Sequence, residues 1–513
     1  MQRSDVLIAG AGPTGLVLAL WLTHLGVSVR IVDRVAQPGT SSRALGVQAR
    51  TLEFYRQIGI ADEVIARGLK FVAANLWVQG RRIARMPFGD FGTGVSPYPF
   101  MLIFPQDAHE RLLIDLLAAL GVSIERPTEL VSFDERGDRV SAQLKHADGR
   151  TETCEATYLA GCDGAHSTVR ETLRTGFPGG TYAHMFYVAD AVGSGPVMNH
   201  ELHVALDSAG FLAAFPMPGD SHARLIGTVK DSAVDAQRPL EWNDVSAVIL
   251  KQLGVVVDRV NWFSTYHVHH RVAAQFRAGR AFLLGDAAHL HSPVGAQGMN
   301  TGLGDAVNLA WKLAAVVQQR AGERLLDTYE PERIAFARRL VATTDRAFQV
   351  VTSDSAGANF IRTRIVAHVM PWLLSLDAMR RFMFRTISQT AIEYRQSALS
   401  SGTAGRVSAG DRLPWIRLGN GAAAGDNFAS LQSLDWQVHV YGEVSAAVAD
   451  WCKSSGIALH VYAWHQTMQA SGLARNAAYL IRPDGYVGCA AGTADDTALR
   501  DYVNDWRLRS RNT

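Results

Sequence analysis

The first sixty residues run in the order strand, glycine-rich turn, helix, strand. Val6, Leu7, Ile8 and Ala9 form a short apolar run, residues 16–25 carry apolar side chains at helical spacing, and residues 27–32 alternate apolar with polar. One βαβ unit is predicted. A second helix is predicted at Asp107-Ala108-His109-Glu110, which has capping-box spacing, with Leu112, Leu113, Leu116, Leu117 and Leu120 as its apolar stripe and Gly121 as its stop. Residues 176–265 change rhythm: short alternating stretches, 211–215 and 224–229 among them, lie between Gly, Pro and Asp and predict an antiparallel sheet. After a buried strand at 281–284 the chain reads as helical through Trp311, Lys312 and Leu313 to about residue 398. A Ser/Gly-rich linker, 397–410, leads to strands near 438–441, 458–463 and 477–481, a Pro483-Asp484-Gly485 turn, and a helix over about 495–506.

The fold class is therefore α/β. Residues 1–175 and 266–398 form a discontinuous Rossmann-type domain with a helical extension, 176–265 with part of 71–103 form an inserted sheet domain, and 411–513 form a C-terminal unit. At 513 residues and 48% hydrophobic composition the chain can fill about three cores, which excludes global disorder. Lys plus Arg number 50 against 48 Asp plus Glu, so bulk charge attracts neither nucleic acid nor a membrane surface. No apolar run reaches the ~18 residues of a membrane span and no hydrophobic leader precedes Asp5, so a soluble, cytoplasmic protein is expected. Cys154, Cys162, Cys452 and Cys489 show neither CxxC nor zinc spacing, which argues against a disulfide framework, a metal site and a dithiol centre. Any redox chemistry must come from a bound cofactor.

Gly10-Ala11-Gly12-Pro13-Thr14-Gly15 follows a strand and opens a helix, the context that gives GxGxxG its meaning. Gly10 permits the tight turn, Gly12 lets backbone N–H groups approach a pyrophosphate, and Gly15 lets helix and strand pack closely. Asp33 ends the next strand, placed to accept hydrogen bonds from ribose hydroxyls, with Arg34 beside it on the adenine side. This unit alone serves FAD and NAD equally. Two later segments, Gly161-Cys162-Asp163-Gly164 and Gly285-Asp286-Ala287-Ala288-His289, each put an Asp at the C-terminal end of a buried strand, the edge where open α/β sheets bind ligands. The loop 291–302 then enters a helix whose free amides at Met299 and Asn300 would stabilise an anionic reduced flavin.

In order and spacing these segments resemble the class A FAD-dependent aromatic hydroxylases, with the para-hydroxybenzoate hydroxylase fold, and most of all the polyketide hydroxylases and rifampicin-type monooxygenases. The resemblance implies bound FAD, with Thr14, Asp33 and Arg34 on its ADP half, Arg43 and Gln106 in contact with the cofactor, and a backbone contact from Leu130 to adenine. Asp286 would meet the ribityl chain and Pro293, Gly298, Met299 and Asn300 the isoalloxazine, while Asp163 would serve NAD(P)H as much as FAD. It further implies that NADPH or NADH visits transiently, with Arg43 and Arg50 placed to neutralise its phosphates, since no second GxGxxG is present. The reduced flavin would trap O2 as a C4a-hydroperoxide and pass an oxygen to an electron-rich aromatic ring. Baeyer–Villiger oxidation and epoxidation share every cofactor motif, and a non-catalytic flavin- or ligand-binding protein is the reading from another class.

No catalytic base is identified. Gln48 stands where relatives often carry His, and His166, His289 and His291 read as loop histidines. Phe211, Ala213 and Phe215 share a strand face, with Tyr182, His184 and Arg224 as polar neighbours; these and Gln48 are the substrate candidates, and ordinary sheet packing is the plainer account of each. The implied partners are a small aromatic substrate and O2; a homodimer is one candidate assembly, and the sequence leaves the oligomeric state open. The C-terminal unit is similar to the thioredoxin-like domain of phenol hydroxylase relatives through Gly410-Asp411-Arg412-Leu413-Pro414 and Ile481-Arg482-Pro483-Asp484-Gly485. Lacking CxxC, it implies a structural role rather than disulfide exchange.

Overall fold

Strand Arg3–Ala9 passes through the glycine turn into helix Pro13–His24 and on to strand Val29–Val32, which pairs with it in parallel. The protein is described by a computed structural model over residues 3–39, 44–71, 73–87, 92–207, 210–229, 240–245, 247–292, 296–352, 357, 365, 367–419, 425–492 and 496–511. Residues 16–22 are wholly buried, because helix Pro13–His24 lies against both Gln106–Ala119 and Gly298–Val317. A helix hydrophobic all round is what such a sandwiched position demands.

On its other side Arg3–Ala9 pairs in parallel with Thr151–Gly161, which pairs in parallel with Ala281–Leu283. The strands that precede the three motif segments are thus neighbours running the same way, and their C-terminal ends share one edge of the sheet. An antiparallel meander, Thr128–Arg136 and Arg139–His146, extends the sheet from Thr151–Gly161.

The capping box at Asp107 does not form. Helix Gln106–Ala119 starts two residues earlier, with Pro105 as its N-cap, so Asp107 lies inside the first turn and accepts from Arg111 at 2.7 Å. Glu110 accepts from Gln106 Nε2 at 2.8 Å and from the Gly39 backbone, and closes no capping box. Gly121 follows the helix with φ +80°, a value that suits glycine.

A second eight-stranded sheet runs in the order His289–Leu290, Val256–Val272, Gly179–Ser194, His222–Thr228, Gly210–Pro216, Leu202–Asp207, Ala73–Val78 and Arg81–Pro87. The segment 71–103 contributes two of these strands, and the long strand Val256–Val272 continues past residue 265 into the first sheet's neighbourhood. A third sheet lies in the C-terminal region, with Gln437–Tyr441 between Ala458–Tyr462 in parallel and Ala478–Ile481 antiparallel. There Cys452 and Cys489 are buried, which pushes their thiols up to about 11 and about 12.

Three buried histidines carry a testable pH effect. Burial pushes His109 down to about 3 and His203 down to about 4, and holds His439 well below the ordinary imidazole range. Each is neutral when folded but takes up a proton near pH 6.5 when unfolded, so the unfolded chain binds more protons between about 6.5 and the folded value. Stability is therefore expected to fall as pH drops through that window, by up to ~1.4 kcal/mol per pH unit per histidine. Urea titrations at pH 7, 6 and 5 check this, and His439→Gln should flatten the slope.

Candidate functional site

The shared strand edge opens on a cavity of about 520 Å³. Gly10 has φ +100°, and a Cβ on it would lie 2.3 Å from the Cys162 carbonyl oxygen; one on Gly15 would lie 2.0 Å from the Gly10 oxygen. Both positions exclude any side chain. Gly12 differs: it lines the cavity, and a Cβ there would meet nothing within 4 Å. The space a pyrophosphate needs above the helix N-terminus is open, so the loop fits a dinucleotide. Thr14 packs beneath Gly285 and Gly302, tying the first motif to the third.

Asp33 serves the turn itself. Its Oδ2 accepts from the Ala11 N–H at 2.7 Å and its Oδ1 from the Val35 N–H at 2.8 Å. Arg34 is exposed, and Arg126 stands beside Asp33 in its stead, 3.3 Å from Oδ1 while donating to the Ala11 carbonyl at 3.0 Å. Nothing in the local sequence marks Arg126, because only the parallel pairing of Ile124–Glu125 with Val29–Val32 brings it there. Leu130 is buried in the core, two residues beyond Thr128, whose N–H donates to the Asp33 carbonyl. Gln106 lines the cavity, and its backbone N–H donates to the Ala44 carbonyl at 3.1 Å.

The two motif aspartates part company. Asp163 turns its carboxylate to the N-terminus of helix Thr168–Thr172, where Oδ2 accepts from the Val169 N–H at 3.1 Å. Burial raises its pKa and leaves Oδ1 without a partner. Cys162, Gly164 and Ala165 form the cavity wall there, whereas Asp286 reaches the cavity directly.

Gly298 and Met299 line the cavity at the first turn of helix Gly298–Val317, with their N–H groups unpaired within the helix, as in any first turn. The Asn300 N–H lies in the same turn, while its side chain is engaged elsewhere. Its Oδ1 accepts from the Gln48 N–H at 2.9 Å and the Thr51 hydroxyl at 2.8 Å, and its Nδ2 donates to the Gly46 carbonyl at 2.8 Å. Asn300 thereby fixes the segment 46–51 against the helix, and Gln48 is buried at that joint rather than in the cavity wall. Below lies a chain of buried polar groups: His289 Nε2 is 2.7 Å from Asp305 Oδ2, and Arg333 Nε donates to Oδ1 at 2.6 Å. Burial opposes ionisation of Asp305, yet Arg333 and His289 hold its pKa below the usual carboxylate value. Arg43 and Pro293 lie outside the described residues, as does the side chain of His184.

The opposite wall is one face of the second sheet. Register places Phe215 opposite Arg224, Ala213 opposite Ile226, Ile226 opposite Val188, and Phe186 opposite Tyr266, so these side chains share that face. Phe215, Ile226, Tyr266 and Val268 reach the cavity, together with His267 and His269. Phe211 and Tyr182 belong to the same apolar cluster, with Tyr182 4.6 Å from the His270 ring, while Ala213 is buried under it. Arg224 makes a buried two-point bond to Asp190 at 2.6 and 2.8 Å, which occupies it within the sheet. Sequence reading missed Ile226, Tyr266 and Val268; the alternation of Tyr266, Val268 and His270 was the available signal.

Strand ends bearing a glycine turn, an open pyrophosphate seat and a facing apolar sheet define a flavin-dependent oxidoreductase. Residues 3–344 match the FAD binding domain family, and the chain belongs to it. It is 38% identical to the 6-methylpretetramide 4-monooxygenase of Streptomyces rimosus, over 78% of this chain and 71% of that one. It is 31% identical to the rifampicin monooxygenase of Rhodococcus hoagii, over 94% of each. Among solved structures it is similar to the OxyS anhydrotetracycline hydroxylase from Streptomyces rimosus, with TM-score 0.77 and 29% identity over 98% of this chain and 99% of that one. The protein is accordingly an FAD-dependent aromatic monooxygenase of the α/β fold expected from its motifs. Among the described residues no helix is long and apolar enough to cross a membrane.

Proposed function

We propose that this chain hydroxylates a planar, polycyclic phenol of the aromatic polyketide kind, using NADPH or NADH and O2. The observation that carries the reading is the aromatic sheet face, Phe215 with Tyr266, set across the cavity from the Gly298 helix turn. Bound FAD supplies hydride acceptance and oxygen activation; the chain supplies the rest. Gly12 and the first turn of helix Pro13–His24 hold the pyrophosphate, and Asp286 holds the linking chain. The amides of Gly298 and Met299 stabilise negative charge, and the sheet face orients the ring and keeps water out. Similarity to enzymes named for tetracycline-type and rifampicin substrates supports a large planar substrate. In the C-terminal region the high-pKa buried cysteines support a structural role.

The test is aerobic NADPH and NADH oxidation by the FAD-loaded protein, with and without a panel of phenols and polyketide aromatics. Stimulated oxidation with a one-oxygen mass gain on an aromatic carbon is expected; a ring-expanded lactone would overturn hydroxylation, and absence of any product would overturn turnover. Phe215→Ala is expected to raise KM by about tenfold with a smaller change in kcat, since an aromatic contact contributes up to ~1.5 kcal/mol to binding.

A further inference from the structure

Two adjacent side chains of the cavity wall carry buried polar atoms with no partner. His291 and Ser292 both line the cavity, and Nε2 of the first and the hydroxyl of the second are unsatisfied. Ser292 is only 1% exposed. His291 Nδ1 lies 3.0 Å from the Ser292 carbonyl oxygen. A carbonyl only accepts, so Nδ1 carries the proton and Nε2 is left as a lone-pair acceptor. Burial and then the neighbouring His289 push the ring down to about 4, which keeps it neutral.

The imidazole is held in place. It stacks on His289 at 6.2 Å and 18°, and His289 is fixed by Asp305 and through it by Arg333. A Cβ on Gly298 would stand 3.4 Å from the ring's Cε1 and 3.6 Å from Nε2, so that edge of the imidazole packs against the helix start. The sheet wall opposite, with Phe215, Ile226 and Val268, offers mainly apolar surface. Buried polar atoms are ordinarily paired, and an orphaned acceptor beside an orphaned hydroxyl in a cavity wall points to a partner on the ligand.

We propose that His291 and Ser292 are positioning residues forming a polar subsite for one edge of a planar ring. Nε2 accepts from an O–H or N–H on that edge, and the Ser292 hydroxyl meets the adjoining carbonyl oxygen. The assignment rests on the cavity being the flavin and substrate site. Two ligands there carry this chemistry: a hydroxyquinone-type substrate, with its hydroxyl beside a carbonyl, and the isoalloxazine, with N–H between two carbonyls.

The variants His291→Phe, His291→Gln and Ser292→Ala separate the two sources. FAD is titrated into apoprotein by flavin fluorescence, and 1,8-dihydroxyanthraquinone and its dimethyl ether into FAD-loaded protein by difference spectra. If the substrate edge is read, His291→Phe weakens the dihydroxy compound about tenfold, leaves the ether within about twofold, and leaves FAD affinity unchanged. If the flavin edge is read, the same variant weakens FAD about tenfold and shifts its visible band. His291→Gln, which keeps an acceptor, recovers most of either loss, and an unchanged melting temperature excludes misfolding. FAD affinity and anthraquinone response both within about twofold of the parent in His291→Phe and Ser292→Ala overturn the proposal. Failure of the parent chain to bind FAD would instead strike at the flavin reading itself.

Discussion

Gly12→Asp is expected to fold normally and to lose FAD. Gly12 has φ −77° and ψ −178°, a conformation open to any residue, and its Cβ direction meets no protein atom within 4 Å. The apoprotein should therefore keep its melting temperature. The new carboxylate would stand where a pyrophosphate must approach, at the positive end of helix Pro13–His24. Two like charges about 4 Å apart cost ~4 kcal/mol at an effective dielectric of about 20, which predicts FAD binding weaker by on the order of 10³-fold. Fluorescence titration of the apoprotein measures it. Retention of FAD within tenfold of the parent would mean that the pyrophosphate lies elsewhere. The contrast is Gly15→Ala, whose Cβ would be driven to 2.0 Å from the Gly10 oxygen, so that fold and cofactor are lost together.

The difference between those two glycines shows what the sequence could and could not disclose. GxGxxG named both, because strand, turn and helix are local and their glycines follow from local geometry. The later motif segments were legible for the same reason: each is an Asp at the end of a buried strand. What local pattern cannot carry is the orientation of a side chain whose partner lies far along the chain. Asn300 was expected along the isoalloxazine through its backbone N–H; that its side chain is committed to Gln48 and Thr51, some 250 positions away, no local pattern could tell. Arg224 was a substrate candidate and is consumed by Asp190 across two strands. Arg126 was invisible until strand pairing brought it to Asp33. The Asp107 capping box failed because Pro105 takes the N-cap and the helix starts at Gln106, a competition the spacing rule does not weigh.

Arg482→Met is expected to cost the protein on the order of 3 to 5 kcal/mol, because it breaks a buried ionic network by removing one member. Glu332 accepts from Lys312 Nζ at 2.8 Å, Asn308 Nδ2 at 2.7 Å, the Ser397 hydroxyl at 2.8 Å and both terminal nitrogens of Arg482 at 2.8 and 3.0 Å. Arg482 also holds Asp484, which accepts from Trp311 Nε1 at 3.0 Å. Glu332, Lys312 and Arg482 are shut from solvent, so methionine would leave two carboxylates short of their countercharge with no water to replace it. Burial opposes the ionised Glu332, but Arg482 and Lys312 hold its pKa below the ordinary range. Its stabilising contribution is thus present above the unfolded carboxylate pKa and is lost as pH falls below it. Urea unfolding at pH 7 should show the loss, and the double variant Glu332→Gln with Arg482→Met should recover part of it, since the remaining Lys312 and Asp484 then balance in charge. A single variant as stable as the parent would show that the network is hydrated or already broken. The consequence reaches the site because Trp311 and Lys312 lie on helix Gly298–Val317, whose first turn lines the cavity proposed to hold the flavin. Arg482→Met should therefore weaken FAD binding as well as folding, although Arg482 lies in the C-terminal region and is not among the residues lining that cavity.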